Sequence, residues 1–197
     1  MPLILAAGSS SRFGSDKRMF LVDGKPMLQC VAETCLSAFD QLVMVFKQEE
    51  AFEIRSKGLF EPAFLQQYQA RLHYCFAKNT DRGMSVSLTQ GIDYILRNFQ
   101  ADAVMVLLAD MPYVKPQTLF RLISAYRDKA IVYPVQPWSD ETKKQGHPVI
   151  FSQHYFDEIR SLQGDKGARS VITSHPEAIV AVAVNDKGVY LDIDEPV

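Results

Sequence analysis

Cysteine is scarce in this 197-residue chain, and the three that occur, Cys30, Cys35 and Cys75, are odd in number and show no CxxC spacing. Neither a disulfide framework nor a thiolate zinc site is indicated, and the thiols read as small core residues inside apolar segments. Excess positive charge is also missing: 21 Lys and Arg stand against 23 Asp and Glu, for a net charge of −2. No basic field exists to hold a nucleic-acid backbone, so an anionic ligand must be met by local charge in a small-molecule pocket. No apolar run approaches the roughly 20 residues that span a bilayer, and the N-terminus lacks the flanks of a secretory signal. Neither nucleic acid nor membrane is an expected partner, and the expected location is the cytoplasm. Repeats, low-complexity tracts and linkers are absent too. With 47% hydrophobic and 22% charged residues, the composition is globular, and the length suits a single domain over residues 1–197.

What the chain does contain is a regular alternation. Short runs rich in Val, Ile and Leu recur at 3–5, 41–46, 72–76, 103–108, 131–135 and 179–184. Between most of them lie segments of helical period. One, over 26–38, puts Leu28, Val31, Ala32, Cys35 and Leu36 on one stripe. Another, over 84–99, does so with Met84, Leu88, Ile92, Ile95 and Phe99. Pro116 opens a third, with Leu119, Leu122, Ile123 and Tyr126 as its apolar face. Continuous apolar strands alternating with helices predict an α/β fold, doubly wound, with a mostly parallel sheet and helices on both faces. Ligands in such sheets bind beyond the carboxyl ends of the strands, which directs attention to the residues after Leu5 and after Leu108. The polar stretch 136–146 reads as a surface loop long enough to serve as a lid or acceptor loop.

After the first strand comes LAAGSSSRFGSDK, residues 5–17, a small, hydroxyl-rich turn carrying two cations. Gly8 and Gly14 let the backbone approach an anion, Arg12 can fork onto phosphate oxygens, and Lys17 adds a point charge. The spacing fits neither GxxxxGK[ST] nor GxGxxG, which disfavours the Walker and NAD-dehydrogenase readings. On its own the segment is either an anion cradle or a plain loop with solvated charges. Asp110 follows the run Val104-Met105-Val106-Leu107-Leu108, at the tip of a predicted strand. A carboxylate there either ligates Mg²⁺ together with phosphate oxygens and waters, or caps the helix that begins near Lys115. Near the C-terminus, Asp192 and Asp194 would share one face of a strand and could share a cation, or belong to a frayed end.

The phosphate-type loop, followed by Lys25-Pro26 and by Ala109-Asp110-Met111-Pro112, resembles the MobA-like nucleotidyltransferase family. The resemblance implies that Leu5, Ala6, Ala7, Gly8, Ser9 and Ser10 contact the incoming nucleotide, that Arg12 meets its β- and γ-phosphates, and that Lys17 lies near the α-phosphate. It makes Lys17, Arg12 and Asp110 the catalytic set. Asp110 becomes a Mg²⁺ ligand, joined by Asp192 and Asp194 in a segment similar to the family's DIDTP, with Glu195 where Thr is usual. GMSVSL at 83–88, GHPVIF at 146–151 and GDKGAR at 164–169 are similar to the cytidylyltransferase branch. Gly83 and Ser85 then contact the nucleotide, while His147, Asp165 and Arg169 form an acceptor pocket. Taken singly, the histidine would be a structural one and 165–167 a turn.

The reaction so implied moves CMP from CTP to a phosphorylated pterin-type acceptor, the molybdenum cofactor, with Mg²⁺ as cofactor and a molybdoenzyme or maturation factor as partner. GTP or another acceptor is the nearest alternative, because the loop and the Asp110 motif are common to the whole family. A nucleotide-binding regulatory protein without turnover is the alternative of another class.

Overall fold

The computed structural model describes residues 1–8, 13–51, 58–136, 145–162, 164 and 167–194. Its strands are β1 (Pro2–Leu5), β2 (Leu21–Val22), β3 (Lys25–Pro26), β4 (Leu42–Lys47), β5 (Leu72–Ala77), β6 (Ala103–Leu108), β7 (Ile131–Val135), β8 (Val149–Ser152) and β9 (Ile179–Ala183). Seven build one sheet in the order β5-β4-β1-β6-β8-β7-β9, and all but β8 run parallel. The remaining two pair as a small hairpin around Asp23 and Gly24, whose φ values of 51° and 82° suit a tight two-residue turn.

Alternation along the strands feeds two cores. Ile4 of β1 faces a cluster with Leu28 and Val31 of α1 (Met27–Leu36) and Leu119 and Leu122 of α4 (Pro116–Ala125). Its neighbours Leu3 and Leu5 face the opposite cluster, with Leu88, Ile92 and Ile95 of α3 (Met84–Asn98), Ile159 of α5 (Phe156–Arg160) and Val171 of α6 (Arg169–Ser174). A further helix, α2 (Pro62–Tyr68), adds Phe64 to the first core. Helices thus cover both faces, as the sequence pattern predicts, and each fully buried Leu or Ile contributes about 1.5–3 kcal/mol. None of the described helices is long and apolar enough to cross a membrane. At Gly91 a Cβ would come within 2.9 Å of both Leu3 and Val45, so the missing side chain lets α3 lie close on β1 and β4.

Several expectations are corrected. Ile123 is 37% exposed, and Thr118 takes its place on the buried face of α4. Met84 points outward at 48% exposure, while Phe99 already lies past the end of α3. Asp110 does not cap α4. That role falls to the buried Asp186, whose Oδ2 accepts from Lys115 N at 2.9 Å and Thr118 Oγ1 at 2.6 Å. Residues 191–194 are irregular rather than a strand. The segment that carries His147 leads into β8, which inserts antiparallel between β6 and β7. Antiparallel pairing of Val149 with Val106 brings the start of β8 to the carboxyl end of β6, so His147 arrives beside the strand tip that bears Asp110.

Candidate active site

The carboxyl ends of β4, β1 and β6 lie side by side. Backbone ties hold the next residues in step: Ala6 N–H donates to Val45 O at 2.9 Å and Ala109 N–H to Leu5 O at 3.2 Å. Just beyond them opens a cavity of about 800 Å³, lined by Ala6, Ala7, Gly8, Lys17, Arg18 and Asp110, among others. A Cβ added at Gly8 would meet no atom within 4 Å, so its backbone faces open space. The cavity wall also includes Gly83 and Ser87 at the amino end of α3. Gly83 adopts φ 117°, which an L side chain would strain, and no side chain caps the helix. The first amides of a 15-residue helix are thereby left to face a polar or anionic ligand.

Lys17 stands in a 3-10 turn, Lys17–Met19, that brings the chain back against the sheet. Its Nζ donates to Asp110 Oδ2 at 2.7 Å and to Asp194 Oδ1 at 3.3 Å. Burial disfavours the ammonium, but Asp110, and after it Asp194, outweigh that cost and hold the Lys17 pKa above the usual lysine range. Asp110 Oδ1 is buried and has no hydrogen-bond partner among the described residues. Ile193 N–H donates to Asp110 O at 3.0 Å, and its side chain packs with Phe13, Val22 and Met27. Asp192 and Asp194 flank that anchor and remain exposed. Gly188 sets the approach of this segment, since a Cβ there would lie 2.1 Å from Tyr113 O.

A second cavity of about 630 Å³ adjoins the first, and Leu5, Met84 and Leu108 line both. Its wall is largely apolar, from Leu88, Val106, Tyr133 and Phe151, with His147 and Arg169 as polar groups. Burial lowers the His147 pKa against the opposing influence of Asp110 and Asp192, which favours the neutral ring, and Nδ1 has no partner among the described residues. Arg169 is exposed at the start of α6.

The structure therefore brings Leu5, Ala6, Ala7, Gly8, Lys17, Gly83 and Asp110 to one cavity, and His147 and Arg169 to the next. Ser85 lines neither: it is fully buried, and its Oγ donates to Gly164 O at 2.5 Å. That bond ties α3 to the loop before α6, and Ser87 rather than Ser85 reaches the first cavity. Ser9, Ser10, Arg12, Asp165 and Glu195, with most of the 136–146 loop, lie outside the described residues. Sequence reasoning missed Arg18, together with Lys47, Glu49, Asn79 and Asp81, which line the first cavity along with Asp110. Charged residues after strands read as ordinary surface. Asn79, at φ 56°, was the one with a local turn signal.

Gly8 beyond the tip of β1, the Lys17–Asp110 pair and the uncapped amino end of α3 line one cavity at the carboxyl edge of a doubly wound sheet, the place where such sheets bind their ligands. Comparison with known proteins narrows this. Residues 2–179 match the MobA-like NTP transferase domain, and the chain belongs to that nucleotidyltransferase family. Asp192 and Asp194 lie beyond the matched residues. Purine catabolism protein PucB of Bacillus subtilis is 28% identical over 98% of this chain and 91% of its own length. A probable molybdenum cofactor guanylyltransferase of Aquifex aeolicus is 27% identical over 66% of this chain, which spans only 55% of that protein. Among solved structures, Rv0371c of Mycobacterium tuberculosis superposes with a TM-score of 0.79 at 26% identity, covering 98% of this chain and 91% of that one. A structure of that protein described as a complex with manganese gives a TM-score of 0.72 over 93% and 86% of the two chains; at 23% identity this likeness shows the fold alone.

Proposed function

We propose that this protein transfers CMP from CTP to a phosphorylated pterin-type acceptor, the molybdenum cofactor, in a Mg²⁺-dependent reaction that releases pyrophosphate. The observation that carries the reading is the Lys17–Asp110 pair in the first cavity, at the strand tips, which shares Leu5, Met84 and Leu108 with a second, largely apolar cavity. The triphosphate occupies the first and the acceptor the second. An acceptor phosphate oxygen attacks the α-phosphorus in line, the bond from that phosphorus to the β-phosphate oxygen breaks, and pyrophosphate leaves with the bonding electrons. A phosphate acceptor is already ionised, so no side chain has to act as base.

Mg²⁺ fits the donor set. Asp110 Oδ1 is a buried oxygen without a partner among the described residues, Asp194 is within reach of the same lysine, and both are hard ligands. The described residues hold no cluster of three metal-ligating side chains, so nucleotide oxygens and waters would complete the shell. When bound, the ion offsets charge on the phosphates. Lys17 shields the α-phosphate as charge builds there. Arg12 does the same for the leaving pyrophosphate. His147 and Arg169 orient the acceptor.

CTP rests on the GMSVSL resemblance. The names of several relatives favour GTP instead. Ala7 lines the first cavity but is only 4% exposed, so its methyl presents little surface with which to exclude a purine. Base choice then falls to polar groups such as Glu49 and Asn79, where each unpaired group costs roughly 1–3 kcal/mol. The test is kcat/KM for CTP and for GTP with one common acceptor. A preference for CTP supports the cytidylyl reading. Equal values or a preference for GTP remove it and leave nucleotidyl transfer standing.

A further inference from the structure

Arg18 is a guanidinium in a place where such groups are costly: it is 7% exposed, at the back of the first cavity. Every arm of it is used. Nη1 donates to Ala6 O at 2.7 Å and to Glu50 Oε2 at 3.1 Å, Nε donates to Asp16 Oδ1 at 2.8 Å, and Nη2 reaches Asp16 Oδ2 and Glu50 Oε1. Its face lies 5.6 Å from the centre of the Phe46 ring. Glu50 is equally buried and also accepts from Lys47 N at 3.0 Å.

These contacts join three separate pieces of the cavity wall. Ala6 is the first residue beyond β1, Lys17 precedes Arg18 in its turn, Lys47 ends β4 and Glu49 belongs to the turn that follows it. We propose that the Arg18–Glu50 pair is a positioning strut that fixes Lys17 relative to the tips of β1 and β4, so that the Lys17 ammonium meets the α-phosphate in register. This rests on the nucleotidyl-transfer reading. Neither residue touches the reacting atoms. A planar fork that satisfies two carboxylates and one carbonyl at once cannot be replaced by the point charge of lysine. A displacement on the order of 1 Å at a catalytic group costs about 10²-fold in rate, which sets the scale of the effect.

The test is steady-state kinetics of pyrophosphate release by Arg18→Lys, Glu50→Gln and the double variant Arg18→Met/Glu50→Gln, with thermal melting of each. The double variant removes both buried charges together, a change that is often neutral for stability, and so guards against simple unfolding of the single variants. A strut requires kcat to fall by roughly 10- to 100-fold in each variant. KM for the NTP should change by less than about threefold, and the double variant should be no worse than the poorer single one. The inference is overturned if a folded Glu50→Gln variant keeps wild-type kcat. Multiplying losses in the double variant also overturn it, as does a rise in KM alone, which would make Arg18 a direct ligand of the nucleotide. Inactive wild-type protein would instead count against nucleotidyl transfer. Backbone hydrogen exchange then decides the strut: the Lys47 and Phe20 amides should exchange faster in Glu50→Gln, and unchanged rates would refute it.

Discussion

Asp110→Asn separates the chemical role of the site from its structural one. The side chain keeps its size and loses its charge. Among the described residues Asp110 makes one ion pair, with Lys17 at 2.7 Å, and the two side chains are 23% and 16% exposed. Losing such a partly screened pair costs about 1 kcal/mol. The cost is partly offset because Oδ1, now buried without a partner among the described residues, no longer belongs to a charged group. The melting temperature should therefore move by only a few degrees. Catalysis should respond on another scale. On the proposed mechanism a metal ligand and the anchor of Lys17 are lost together, and a fall of at least 100-fold in kcat is expected, equivalent to about 2.7 kcal/mol. Pyrophosphate release measured across a Mg²⁺ titration, beside thermal melting, checks both halves. A kcat within threefold of wild type at saturating Mg²⁺ would remove Asp110 from the chemistry. A collapse in stability would make it a structural residue.

Ser85→Ala breaks the bond to Gly164 O at 2.5 Å, and should raise KM for the acceptor rather than for the NTP because the loop before α6 is what it holds; a change confined to the NTP would restore Ser85 as a nucleotide contact. Gly188→Ala drives a Cβ to 2.1 Å from Tyr113 O, a backbone atom that cannot swing away, so a loss of about 1–3 kcal/mol is expected in denaturant unfolding, and an unchanged midpoint would contradict the packing described here. His147 has its pKa lowered by burial, so the unfolded chain binds the extra proton first: its contribution to stability is present above the ordinary histidine value of about 6.5 and is lost as pH falls below it. His147→Gln should flatten the acid side of a stability-versus-pH curve, and an identical slope would show that the ring titrates normally.

The sheet was legible in the sequence because its strands are buried on both faces, which writes them as unbroken apolar runs such as Val104-Met105-Val106-Leu107-Leu108. That pattern also located Gly8 and Asp110, since a doubly wound sheet puts its ligands at strand tips. β8 escaped notice: four residues, three of them inside a segment taken for ligand binding, carry too little pattern. The β2–β3 hairpin did have a signal, Asp23-Gly24, in the form that tight hairpins favour. Other features depend on partners distant in sequence and could not be read locally. Asp186 caps α4 from 71 residues beyond Lys115, Ser85 reaches Gly164 79 residues away, and Arg18 meets Glu50 across 32. Charged residues are almost never fully buried unless paired, and the sequence does not show the pair.

Nucleotidyl transfer itself is tested most directly by product stoichiometry. The protein is incubated with Mg²⁺, CTP or GTP, and molybdopterin-type acceptor, and pyrophosphate is measured against acceptor consumed. One pyrophosphate per acceptor, formed only when nucleotide, metal and acceptor are all present, is the expected result. Nucleotide bound at the first cavity with no pyrophosphate under any combination, or pyrophosphate formed at the same rate without acceptor, would contradict it.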